Sequence, residues 1–217
     1  YLSEIVIPDS VTTVGDGAFG QCSSLKRIVV GKGVVNLGWA VFDGPIETIS
    51  VNAGNPKYHS SGNCLIETDT KTLLCGSGSS VIPSNGSVVK IYERAFAGRP
   101  LSTIVIPDSV VSIGESAFAG CTATSISISN GITEIEDYTF SYCGNLTSIT
   151  IPNSVQSIGD SAFSNTGYYN DSSNWENNVL YIGNHLIKAN TSISGDYTIK
   201  SGTKTIKNRY NYGNEKN

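Results

Sequence analysis

The sequence predicts a β-rich α/β solenoid, with short strands and short helical turns stacked coil on coil and two hairpin insertions. Three observations predict it. One unit recurs, as LSEIVIPDSVTTVGDGAFGQC from Leu2, LSTIVIPDSVVSIGESAFAGC from Leu101 and LTSITIPNSVQSIGDSAF from Leu146. All six phenylalanines (Phe19, Phe42, Phe96, Phe118, Phe140 and Phe163) occupy one slot of that unit. Isoleucine and valine far outnumber leucine and alanine, and β-branched residues favour strands. Unit starts near residues 2, 25, 46, 77, 101, 123, 146 and 194 make about eight coils of a single domain, 1–217.

Each element of the unit has a local reason. In LxxIxIP the fourth and sixth positions alternate with polar ones, the period of a strand buried on one face. Ile5 and Ile7, Ile104 and Ile106, Ile126 and Ile128, and Ile149 and Ile151 are the inward pairs. Proline ends the strand, because it has no N–H for the next ladder bond. A second apolar step follows, such as Val110 and Ile113, and a glycine (Gly15, Gly114, Gly159) then permits a sharp turn. A small residue plus Phe, as in Ala117-Phe118, drives a ring into the centre from a short helical turn. A unit this short cannot bury its own apolar face, so successive coils must stack.

Insertions near 53–76 and 165–191 break the period. Residues 64–67 and 72–75 around 68–71 read as one hairpin, and 179–182 and 185–188 around Gly183-Asn184 as another. Both are expected to project from one edge of the solenoid. In the last unit Tyr210-Asn211 replaces the Ala-Phe pair, so 207–217 is expected to be a cap or a frayed end.

Composition narrows the function. Net charge is −4, charged residues are 15% against about 25% in an average domain, and the 14 basic residues are scattered. That argues against nucleic acid and against an anionic membrane surface as partners. Apolar runs of three or four residues fall far short of the roughly 20 that span a bilayer, so no membrane insertion is expected. The chain opens in mid-pattern at Tyr1-Leu2, without methionine, and reads as a mature fragment of something longer.

Few residues suggest chemistry. Cys22, Cys121 and Cys143 share one slot, read as a ladder of free buried thiols. Cys64 and Cys75 oppose one another in the first hairpin, where a disulfide and a free pair both stay open. His59 and His185 read as partly exposed loop residues, and no metal or cofactor site has the needed spacing. Between the inward isoleucines, Arg27, Val29, Thr103 and Val105 belong to an outward lawn of Ser, Thr and Val. Tyr168, Tyr169 and Trp175 form the densest aromatic patch, which reads first as an anchor for the insertion and second as a contact surface. These seven residues are the candidate protein-binding positions.

The unit LxxIxIPxSVxxIGxxAFxxC resembles the BspA-type leucine-rich repeat of bacterial cell-surface proteins. The resemblance covers nearly the whole chain, takes the insertions as hairpin-bearing islands, and lapses after Ile206. It implies a right-handed leucine-rich-repeat solenoid, extracellular on a bacterial cell surface, that mediates adhesion to an extracellular protein or glycan. A non-enzymatic binding module is therefore expected. A structural spacer holding another domain off the cell is the second reading. A polysaccharide-acting β-helix enzyme is the third, but it needs charged side chains converging on one groove. Here they are sparse and out of register.

Overall fold

A computed structural model describes residues 2–42, 44–190, 193 and 196–206. The repeat units wind into a β-solenoid whose strands pair coil to coil in parallel. Strands Glu4–Val6, Arg27–Val30 and Thr48–Val51 form one sheet, with Ile5, Ile28 and Ile49 in register. Strands Thr103–Val105, Ser125–Ser127 and Ser148–Thr150 form another, with Ile104, Ile126 and Ile149 in register. The alternation is realised. Ile104, Ile106, Ile126 and Ile128 are buried, while Thr103, Val105 and Ser127 face outward. Further along each coil, two-residue strands such as Glu134–Ile135 and Ser157–Ile158 form a second parallel ladder.

The Phe slot stacks its rings along the axis. Phe96, Phe118, Phe140 and Phe163 follow one another at 5.0, 5.5 and 5.4 Å between centroids, and Phe19 lies 5.9 Å from Phe42. The Ala-Phe pairs sit on tight turns, while the helical segments Gly167–Asn170 and Ser172–Asn174 fall in the second insertion. Two residues before each Phe the backbone is left-handed, at Gly17, Ala40, Arg94, Ser116, Tyr138 and Ser161.

The glycines expected to permit that turn do something else. A Cβ on Gly114 would lie 2.6 Å from the backbone N of Glu93, and one on Gly159 2.5 Å from that of Asp137. These glycines clear space for the preceding coil. Gly15, in the first coil, meets nothing within 4 Å.

Neither hairpin projects. The first insertion is a three-stranded antiparallel meander, Tyr58–Ser61, Cys64–Glu67 and Thr72–Gly76, and its last strand pairs in parallel with Lys90–Ile91. The second repeats the plan with Trp175–Glu176, Val179–Ile182 and His185–Ala189, the last pairing in parallel with Thr205–Ile206. The first link of each meander turns on two left-handed residues, Gly62-Asn63 and Asn177-Asn178, the backbone of a tight hairpin.

Both hairpins lie across the stack as partitions, buried on both faces. Cys64, Ile66 and Leu73 join the large core that continues to Phe163, whereas Leu65 and Cys75 join the smaller core of the first coils. In the second hairpin Leu180, Ile182 and Ile187 face the large core, while Val179, Tyr181 and Leu186 face a small terminal cluster. The expected tail at 207–217 lies outside the described residues.

Candidate functional site

The outward strand residues form an almost uncharged surface on each of two short sheets. Its charged pair, Glu4 and Arg27, is joined at 2.5 Å. Val6, Val81 and Val105 stand exposed at 59%, 72% and 65%. The structure places Arg27 and Val29 in the first sheet and Thr103 and Val105 in the second, and it does not bring the two pairs together.

The first insertion separates them. Its tip residue Asn63 accepts a hydrogen bond from the Ile49 N–H at 2.7 Å and donates to Ser79 Oγ at 2.8 Å, so it closes the edge of the Thr48–Val51 strand. Ser60 Oγ accepts from the Val51 N–H at 3.2 Å on the same edge. The next coil then follows the tip: the Val81 N–H donates to Gly62 O at 2.9 Å. Residues 79–81, a strand in the repeat pattern, therefore form no ladder. A groove of about 270 Å³ opens between them and Thr103–Val105, lined by Val81, Ile82, Leu101, Ile104, Val105 and Pro107.

On the turn side the same interruption leaves a cleft of about 670 Å³ between Phe42 and the turn at residues 92–95, within the range that holds small ligands. Trp39 spans it by donating its ring N–H to the Glu93 carboxylate. Lys57 and Glu67 pair at 3.3 Å in its wall. Its floor is sealed by Arg99, which is buried and occupies the slot held by Cys121 and Cys143 in the next two coils. The Arg99 guanidinium donates to Gly76 O at 3.0 Å, to Phe42 O at 3.3 Å and to Gly44 O. It thus ties the first coils to the later ones across the gap in the ring stack. In the sequence its signal is the arginine that stands in the slot cysteine holds at Cys22, Cys121 and Cys143.

The aromatic patch is an anchor in the structure. Tyr168 OH donates to Tyr181 O at 3.1 Å, Trp175 donates its ring N–H to Tyr169 O at 2.8 Å, and the Tyr169 and Trp175 rings meet edge to face at 5.3 Å. All three are half-buried against the large core, and burial pushes the Tyr169 phenol up from its ordinary value.

Cys22, Cys64, Cys121 and Cys143 are free thiols. Cys121 and Cys143 donate to Phe96 O and Phe118 O in the preceding coil, at 3.0 and 3.1 Å. The Cys143 contact and burial together push the Cys121 thiol up. Cys64 and Cys75 are not opposed, because a bulge between Leu65 and Ile66 sets Cys64 against Gly76 and Leu65 against Cys75. The two sulfurs enter different core clusters.

His185 is buried rather than partly exposed, with Nδ1 2.9 Å from Thr205 Oγ1, and burial holds its pKa below the ordinary value. His59 makes the matching contact with Thr68 Oγ1 at 2.9 Å. Among the described residues no group of three His, Cys, Asp or Glu could hold a metal ion, and no helix is long and apolar enough to cross a membrane.

A family model described as a BspA-type leucine-rich repeat region matches residues 1–85 and 89–216 with six copies. Among solved structures the chain is similar to a leucine-rich cell surface protein from Faecalibacterium prausnitzii. The two are 28% identical with a TM-score of 0.63, over 75% of this chain and 51% of that one. The pneumococcal vaccine antigen PcpA shares the fold at 16% identity and a TM-score of 0.56, over 96% of this chain and 63% of that one. A leucine-rich repeat protein from Bacteroides ovatus does so at 22% identity and a TM-score of 0.51, over 76% of this chain and 50% of that one. The chain thus spans half to two thirds of the length of these structures. No curated protein matches it.

Proposed function

Because the chain belongs to the BspA-type leucine-rich repeat family, we propose that it is a non-enzymatic binding module on a bacterial cell surface, and that its strand face adheres to an extracellular protein. The observation that carries this reading is the face itself. It bears Val6 and Val105 exposed among serines and threonines on two short sheets, with Val81 exposed beside the groove between them. Apolar side chains held apart on a rigid sheet can be buried by a partner with little loss of side-chain entropy. The low charge supplies no long-range steering, so specificity rests on shape and hydrogen bonding. The likeness to a cell surface protein supports the location. The half-buried aromatic triad Tyr168, Tyr169 and Trp175 already serves the fold, so the proposed contact positions are Arg27, Val29, Thr103 and Val105.

The test is direct binding of the purified chain to a panel of extracellular-matrix proteins and glycans, with a Val6→Lys/Val105→Lys variant and a Trp39→Ala variant alongside. The expected result is saturable binding to one protein, lost in the double variant and kept in Trp39→Ala. Loss in Trp39→Ala alone would move the site to the cleft. An empty panel would favour a spacer that holds another domain off the cell.

A further inference from the structure

The break in the strand face leaves one strand edge unused. In intact coils the amides of outward residues bond to the coil before. The Arg27 N–H reaches Ser3 O at 3.1 Å, the Thr48 N–H Lys26 O at 3.0 Å and the Ser148 N–H Thr124 O at 3.2 Å. Thr103 and Val105 hold the same positions in their coil, with their N–H and C=O groups aimed at residues 79–81. Among the described residues no backbone group bonds to them from that side, because the Val81 N–H has turned to Gly62 O at 2.9 Å.

An exposed edge beside valines is a template for pairing, and proteins ordinarily blunt it with charge, proline or a cover. Thr103 and Val105 carry none of these, and Val81 and Val105 stand among the most exposed apolar residues of the chain. The groove at this edge, about 270 Å³, has an apolar lining that includes Ile82, Leu101 and Ile104.

We propose that this groove binds an extended peptide segment of a partner protein by strand addition: the segment lies parallel to Thr103–Val105, takes up their unpaired N–H and C=O groups, and presses alternate aliphatic side chains into the gap. The solenoid supplies the template for the occupant. Where coils stack intact, a strand lying before another offers amides of its inward isoleucines to it, as Ile7 does to Val29 O at 2.9 Å and Ile106 to Ser127 O at 3.0 Å. A ligand of the same alternating pattern fits both the hydrogen-bonding edge and the apolar lining. This rests on the strand-face reading above and gives it a site and a class of ligand.

The probe is the synthetic peptide acetyl-LSTIVIP-amide, a copy of residues 101–107, titrated into the purified chain by calorimetry. Saturable binding is expected. N-methylation of the peptide's two isoleucine amides should weaken it about tenfold or more per blocked bond, and N-methylation of its Thr and Val amides should not. Val105→Pro removes an N–H that the fold leaves unused, at an edge position where proline is tolerated, so it should lower affinity while leaving the urea midpoint close to that of the unmodified chain. Absence of binding at millimolar peptide would overturn the proposal, as would equal loss from the two methylation patterns. If the matrix-panel binding survives while the peptide fails, strand addition falls and the adhesive face stands.

Discussion

Phe118 is enclosed by Phe96 on one side and Phe140 on the other, at 5.0 and 5.5 Å, and is wholly buried. Phe118→Ala should cost about 3–5 kcal/mol by opening a cavity that two stacked rings cannot collapse into. A urea-unfolding difference below about 1 kcal/mol would show that the Phe slot is not central. Cys64 gives a pH signature. Burial pushes its thiol up from 9.0 to about 11, so the unfolded chain releases the proton first as pH rises. Its contribution to stability is complete below pH 9 and is lost between pH 9 and about 11. The urea midpoint should fall across that window, and the fall should shrink in Cys64→Ala. At this scale the inward isoleucines and the Phe slot were legible, because burial alternates with period two and one aromatic recurs. The left-handed residue two positions before each Phe was not legible. It is glycine only at Gly17, and the strain at Ser116 or Tyr138 is imposed by stacking rather than by local preference.

Asn63 shows what one residue does for an element. It holds φ at +60°, accepts from the Ile49 N–H and donates to Ser77 Oγ and Ser79 Oγ, both at 2.8 Å. Asn63→Ala should cost about 2–4 kcal/mol, from an unpaired strand amide and a strained left-handed backbone together. Asn63→Gly keeps the backbone and loses only the bonds, so it should cost less. Equal costs in chemical denaturation would remove strain from the account. The hairpin strands themselves were legible, but their placement was not. CLI (64–66), LLC (73–75) and VLYI (179–182) are unbroken apolar runs, the pattern of strands covered on both sides. They were read as projecting because hairpin signals are local, and a partition is recognised only when the cores on its two faces are seen. The break in the strand face follows from the same partition, and the unit LxxIxIP gives no hint of it.

For the molecule as a whole, coils touch mainly their neighbours, so protection should grade along the array. Ile7 N–H and Ile106 N–H make nearly equal bonds, to Val29 O at 2.9 Å and to Ser127 O at 3.0 Å. Ile106 lies inside the large core and Ile7 in the smaller first one. Native-state hydrogen exchange should therefore be slower at Ile106, and equal rates would mean that the solenoid opens as one unit. The joint at the first insertion has a mechanical consequence as well. Ladder bonds in stacked coils lie along the axis, so a pull from end to end loads them directly. At this joint Lys90–Ile91 is bonded to the hairpin while Thr103–Val105 has no bonded neighbour on that side. Tension would therefore concentrate on the Lys90–Ile91 ladder and the Arg99 ties, and open the stack first on the Thr103–Val105 side, like a door swinging from its hinged edge. Under flow, such a joint should yield before the stacks on either side come apart.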